Sequence, residues 1–204
     1  FAIAYQSNNL FLGFAGGALV GAMTAAVVGF FSVFLGLSQV AVGFVLTLTA
    51  RDLAYFLGNP YARLYGPQTG LLPIPWLKDI PVLGPIFFDQ SFPAYLSLLL
   101  IPFVWWYLYK TPMGLGLRAI GENPEAAYAR GANTRAIQFW YTVAGGLLVG
   151  LAGATFSLCT KTGWGRPQGA EGTGWIALAI VIFGGWHPVK TALGAYLFGF
   201  LQIM

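Results

Sequence analysis

The first fifty residues carry no ionised side chain; the first charge in the chain is Arg51. A water-facing surface is not built that way, because soluble domains carry about 25% charged residues. This chain of 204 residues is 8% charged and 57% hydrophobic, so it is expected to reside in a bilayer. Only helices and closed barrels satisfy their backbone polar groups in lipid. Barrel strands alternate apolar and polar residues over about 10 positions, and the apolar runs here do not. The expected fold is therefore all-α: a polytopic helical membrane protein with broken or short membrane helices.

Several function classes drop out. Ten Lys plus Arg against six Asp plus Glu are too few and too scattered to form a nucleic-acid footprint. Cys159 is the single cysteine and His187 the single histidine, which excludes an internal disulfide and a Cys/His zinc site. No metal or cofactor is expected. Gly114, Gly116 and Ala119 mimic a dinucleotide fingerprint, but an apolar span rather than a strand precedes them and no acid lies between Glu125 and Glu171. No Walker A lysine pattern occurs, so any use of ATP belongs to a partner. Glu122 and Glu125 share a helix face, for which a solvated surface is the commoner explanation than paired acid–base catalysis. The chain is not expected to be an enzyme.

Hydropathy divides the chain into six spans or part-spans. Leu10 to Leu35 is long enough to cross and carries Gly13, Gly17, Gly21, Ala25 and Gly29 at four-residue spacing, a stripe that permits close helix approach in lipid. Gly36 to Gln39 reads as a polar turn. Val40 to Leu57 follows, interrupted by Arg51 and Asp52, a pair that either snorkels to the interface or faces a watery pathway. Closeness to Gly58, Asn59 and Pro60 favours the interface. Pro93 to Tyr109 is the next span, with a kink expected at Pro102. Ala136 to Leu158 carries a second small-residue stripe, Gly146, Gly150 and Ala154. Gly174 to Trp186 is short enough to be a half-helix, and a last run begins at Ala192. The whole apolar stretch after Lys190 rises only about 21 Å as helix, short of the hydrocarbon core, so the chain reads as a fragment of one transmembrane domain, residues 1–204, lacking spans at one or both ends.

Two loops separate these spans by character. Residues 58–92 hold Pro60, Pro67, Pro73, Pro75, Pro81 and Pro85 with Trp76, Phe87 and Phe88, and their charges, Arg63, Lys78, Asp79 and Asp89, sum to zero. Residues 110–135 hold Lys110, Arg118, Arg130 and Arg135, four of the ten basic residues. By the positive-inside rule, 110–135 is cytoplasmic and 58–92 extracytoplasmic. Lys161 and Arg166 in the later outer loop weaken the asymmetry without reversing it.

Within 110–135, Asn123 suits an N-cap, Pro124 the first helical position, Glu125 the positive end of the helix dipole and Gly131 a C-terminal stop. These encode one short helix. Seven residues are too few to be stable alone, so the helix packs either on its own membrane domain or into a cytoplasmic partner.

The stretch Gly116-Leu-Arg-Ala-Ile-Gly-Glu-Asn-Pro-Glu-Ala-Ala127, followed by Gly131, resembles the cytoplasmic coupling segment of ABC-importer permeases of the ribose and branched-chain amino acid type. Gly172-Thr-Gly-Trp-Ile-Ala-Leu-Ala-Ile-Val-Ile-Phe-Gly-Gly-Trp-His-Pro188, then Gly194-Ala-Tyr-Leu-Phe-Gly199, is similar to the simple-sugar or nucleoside branch. The resemblance implies a permease of a bacterial-type plasma membrane, passing a small polar solute such as a nucleoside or simple sugar. Its partners would be two cytoplasmic ATPase subunits, a second permease subunit and an extracytoplasmic solute-binding protein. Glu122, Asn123, Pro124, Glu125, Ala126, Ala127 and Gly131 would belong to the helix that seats in the ATPase. Arg51–Asp52 departs from the pattern. Gln39, Thr47, Thr49, Gln138 and Ser157 are candidate hydrogen-bonders along a pathway, although Ser and Thr often bond only their own helix backbone. The alternative, an ion-coupled secondary transporter or channel, requires ionisable groups inside spans, where only Arg51 and Asp52 are near candidates.

Overall fold

The computed structural model describes residues 1–64, 66–73, 89–161, 163–165 and 170–203. The loop aromatics Trp76, Phe87 and Phe88 and the charges Lys78, Asp79 and Arg166 lie outside the described residues. In chain order the elements are α1 (Ala2–Ser7), α2 (Leu10–Gly29), α3 (Gln39–Gly58), β1 (Leu71–Pro73), β2 (Asp89–Ser91), α4 (Phe92–Lys110), α5 (Pro112–Glu122), α6 (Pro124–Ala129), α7 (Thr134–Thr155), α8 (Thr173–Phe183) and α9 (Pro188–Ile203). Among the described residues, four helices are long and apolar enough to cross a membrane: Leu10–Phe34, Gln39–Tyr61, Phe92–Lys110 and Thr134–Thr160. The expected all-α membrane architecture is present, and α8, at 11 residues, is short as its sequence predicts.

The chain forms two compact units, Phe1–Gly70 with Tyr128–Gly169, and Leu71–Ala127 with Ala170–Met204. In the first, α2 starts where the Asn9 side chain accepts a hydrogen bond from the Phe11 amide at 2.9 Å, satisfying one of the donors a helix start leaves unpaired. Its far end continues as a π-helical turn, Phe30–Phe34, and α7 likewise ends in a π-helical turn, Phe156–Thr160.

The glycine stripe on α2 packs against the stripe on α7. A Cβ built on Gly21 would lie 2.6 Å from the Gly150 Cα, one on Gly17 2.8 Å from the Ala154 Cβ, and one on Gly150 2.9 Å from the Gly17 carbonyl carbon. Gly146 faces Ala25, and at the two ends Gly13 meets Ala4 and Leu158 while Gly29 meets Phe139. All five small residues of the first stripe are thus used in packing. Where oily side chains gain nothing by leaving lipid, backbone proximity supplies the dispersion contacts that bind the helices. Leu158 and Ala4, the two fully buried apolar residues among the described residues, close one end of this seam.

In the same unit the chain after α3 is tied down by backbone bonds: the Arg63 amide donates to the Trp164 carbonyl at 3.1 Å and the Thr69 amide to the Leu158 carbonyl at 3.2 Å. The Trp164 ring covers Gly58, where any side chain would collide with it.

In the second unit, β1 and β2 form an antiparallel pair with Leu71 opposite Ser91 and Pro73 opposite Asp89, so the stretch 58–92 contains a small ribbon as well as a 3-10 turn, Asn59–Tyr61, which belongs to the first unit. The Tyr95 hydroxyl donates to the Leu72 carbonyl at 3.3 Å. α4 runs unbroken through Pro102. Three expectations are corrected. Gln39 opens α3 rather than ending a turn. The stretch 110–135 holds two helices, α5 and α6, instead of one. α1, too short for a periodic signal, was not anticipated.

Candidate functional site

The segment between α4 and α7 is built from caps. Pro112 opens α5, and the Thr111 hydroxyl accepts from the Gly114 amide at 3.1 Å while donating to the Tyr107 carbonyl at 2.6 Å. One side chain thus joins the end of α4 to the start of α5. Gly114 makes the fold-back possible: a Cβ there would lie 2.6 Å from the Leu108 Cα and 2.8 Å from its carbonyl oxygen. α5 ends at Glu122, and the Asn123 amide still donates to the Ala119 carbonyl at 3.0 Å.

The Asn123 side chain then caps the next helix, accepting from the Ala126 amide at 3.0 Å, with Pro124 in the first helical position and Glu125 in the first turn. A carboxylate there faces the positive end of the helix dipole. Gly131 stops α6 with φ +88° and donates its amide to the Tyr128 carbonyl at 2.8 Å. These local roles agree with the sequence reading of the same residues. Asn133 then caps α7 by accepting from the Ala136 amide at 3.1 Å.

Glu122, Asn123, Pro124, Glu125, Ala126 and Gly131 are exposed, and Ala127 is half-buried. Beside them Tyr128 is 70% exposed, a large aromatic side chain that the sequence reading passed over. Its signal was its place in a capped helix with no apolar face of its own to bury. α5 was missed although Thr111-Pro112 has the same cap-then-proline form as Asn123-Pro124.

The candidate pathway residues do not converge. Gln39 and Thr49 are ten positions apart on α3, and Gln138 and Ser157 are nineteen apart along α7 and its π turn, which is about 28 Å at the helical rise. The Thr47 hydroxyl donates to the Gly43 carbonyl at 2.7 Å, Thr49 to Val45 at 2.9 Å, and Ser157 to Ala154 at 3.1 Å. Their oxygens retain acceptor capacity, but the donors are already used within their own helices.

Arg51 and Asp52 pair through Nε and Oδ1 at 3.3 Å, with side chains 49% and 71% exposed. Arg51 lies seven residues before the end of α3, about 10 Å along the axis. Asp52 also borders a groove with Tyr55, Phe56, Asn59 and Pro60. No three His, Cys, Asp or Glu residues come together among the described residues.

The family model for the branched-chain amino acid transport system / permease component covers residues 1–204. The chain belongs to this family. It is a multi-pass membrane protein. Among curated relatives, it is 36% identical over 208 residues to a putative glucose ABC transporter permease of Haloferax volcanii, covering 100% of this chain and 63% of that protein. It is 36% identical over 188 residues to a nucleoside ABC transporter permease of Lactococcus lactis, covering 90% of this chain and 59% of the relative. It is 35% identical over 173 residues to a guanosine ABC transporter permease of Bacillus subtilis, covering 80% and 53%. This family member therefore spans between half and two thirds of the length of these relatives. No solved structure matches it.

Proposed function

We propose that the chain is the membrane-spanning part of a permease subunit of an ATP-driven ABC importer, moving a small polar solute, a nucleoside or a simple sugar. It performs no covalent chemistry; a separate ATPase subunit hydrolyses ATP. The observation that carries this reading is α6: an exposed helix, capped at both ends, between two membrane crossings. A six-residue helix lacks the length to be stable by itself, and a partner groove supplies what its own sequence does not. Glu122, Asn123, Pro124, Glu125, Ala126, Ala127 and Gly131 form the coupling segment, on the cytoplasmic side, with residues 58–92 outside. A second permease subunit completes the pathway and an extracytoplasmic binding protein delivers the solute. Gln39, Thr47, Thr49, Gln138 and Ser157 offer acceptors along the spans, and Arg51–Asp52 sits near the outer interface. The similarity to sugar and nucleoside permeases supports the solute class.

The test is co-purification of the full-length protein with the ATPase encoded beside it, comparing wild type with a Glu125→Lys, Gly131→Leu variant. Retention by the wild type and loss in the variant are expected. If the folded wild type retains no ATPase, and uptake into liposomes follows an ion gradient rather than ATP, the secondary-transporter reading replaces this one.

A further inference from the structure

The second unit contains a side-chain stack that the coupling segment does not include. The Arg118 guanidinium of α5 lies over the Tyr109 ring of α4, 4.5 Å from its centroid. The Tyr109 ring also packs against His187, in the turn between α8 and α9, with centroids 5.3 Å apart and planes at 40°. Tyr109 is therefore the shared neighbour of two elements far apart in sequence. Trp105, one helical turn earlier on α4, stacks on Tyr109 at 6.4 Å and carries Lys110 over its own face at 5.8 Å.

Each end of this stack is attached to something stiff. α5 cannot swing freely from α4, because Gly114 is buried against the Leu108 backbone and Thr111 bonds both helices. The α8–α9 turn is equally close-packed. Gly184 is buried with a Cβ position 2.9 Å from the Thr191 amide nitrogen and Cα, Gly185 and Trp186 adopt φ +60° and +58°, and the His187 amide donates to the Gly184 carbonyl at 3.2 Å. The His187 Nδ1 is buried without a hydrogen-bond partner among the described residues. A buried imidazole nitrogen normally takes a partner, so on that side ring packing, not hydrogen bonding, holds the side chain.

We propose that Arg118, Tyr109 and His187 are positioning residues that pass movement of α5 to the α8–α9 turn, so that displacement at the coupling segment shifts the short helix α8. This rests on the permease reading above. Rigid elements joined by a small packed contact are the arrangement that converts a local push into a shift of a neighbouring helix. Demonstrating it requires coupling energies and not adjacency alone.

The experiment uses the full-length permease assembled with its ATPase and partner subunits in proteoliposomes, with tritiated guanosine and, in parallel, labelled glucose as probes. ATP hydrolysis and uptake are measured together for wild type, Arg118→Ala, Arg118→Lys, Tyr109→Ala, Tyr109→Phe, His187→Ala and the Arg118→Ala, Tyr109→Ala double variant. In a Cys159→Ser background, a Val189→Cys reporter beside the turn is labelled with a charged maleimide with and without ATP and vanadate. Solute moved per ATP is expected to fall about tenfold in Arg118→Ala and Tyr109→Ala, within the usual range for coupled sites. Tyr109→Phe keeps the ring face and retains coupling, and Arg118→Lys, which keeps a charge near the ring but loses the planar stack, retains only part of it. The double variant is expected to be no worse than either single one, and the nucleotide-dependent change in labelling disappears in Tyr109→Ala while the ATPase still co-purifies. If wild type is coupled but Arg118→Ala and Tyr109→Ala are unaffected, or their losses simply add, the stack carries no movement. If wild type takes up neither probe with ATP, the permease reading falls and this inference falls with it.

Discussion

The seam between α2 and α7 and the connector stretch 116–131 are both rich in glycine and alanine, yet they use these residues in opposite ways. In the seam, Gly17, Gly21, Gly146 and Gly150 are points where a neighbouring backbone occupies the space of a side chain. In the connector, Gly116, Gly121 and Gly131 have open space around them, and only Gly131 is conformationally demanding, through its positive φ. Small residues held against another helix are a packing device. Small residues left open at the end of a capped helix leave a surface on which a partner can settle.

The largest test of this contrast lies in the seam. Gly21→Leu or Gly150→Leu forces a side chain into the opposing backbone and is expected to cost upward of about 3 kcal/mol, at or beyond the usual range for overpacking. Gly145→Leu, on the same helix with no atom within 4 Å of its Cβ position, is expected to stay within about 0.5 kcal/mol of wild type. Thermal unfolding in detergent compares the three, and equal midpoints would break the distinction. Next in size, Gly131→Leu places a side chain at φ +88° and is expected to cost about 1–2 kcal/mol of local strain. With Glu125→Lys it is expected, on the proposed coupling role, to abolish ATPase retention while leaving the seam folded, so a large fall in the midpoint would assign the connector to the fold instead of to a partner.

Asn123→Ala removes the cap on the Ala126 amide and is expected to loosen α6 by about 1 kcal/mol. Faster hydrogen exchange at Ala126 with unchanged exchange in α2 and α7 is the expected signature. The smallest effect is predicted at Arg51 and Asp52. With the pair at the aqueous interface, as proposed above, water screens it, and Arg51→Gln or Asp52→Asn is expected to shift stability by less than about 1 kcal/mol. ATP-dependent uptake should persist in both variants, and its loss would make the pair part of the pathway.

Reading the residues in order located the crossings, because hydropathy needs only a run of like side chains, and it located the α6 caps, because Asn123, Pro124 and Gly131 act on backbone groups within a few residues. The small-residue stripes were legible as packing faces for the same reason: four-residue spacing keeps them on one side of a helix. That Thr47 and Thr49 would bond their own helix backbone was open from residue type alone, and the rotamers that decide it are not specified by composition.

What sequence alone determined was therefore short-range: spans, caps, stripes and the place of α6 between two of the spans. Tertiary structure decided which stripe meets which, that α5 folds back on α4 over Gly114, and that Tyr109 stands between Arg118 and His187. Those pairings join residues from about six to well over one hundred positions apart. They are set by which backbones approach closely enough to exclude lipid, a property of two surfaces together that neither segment carries alone.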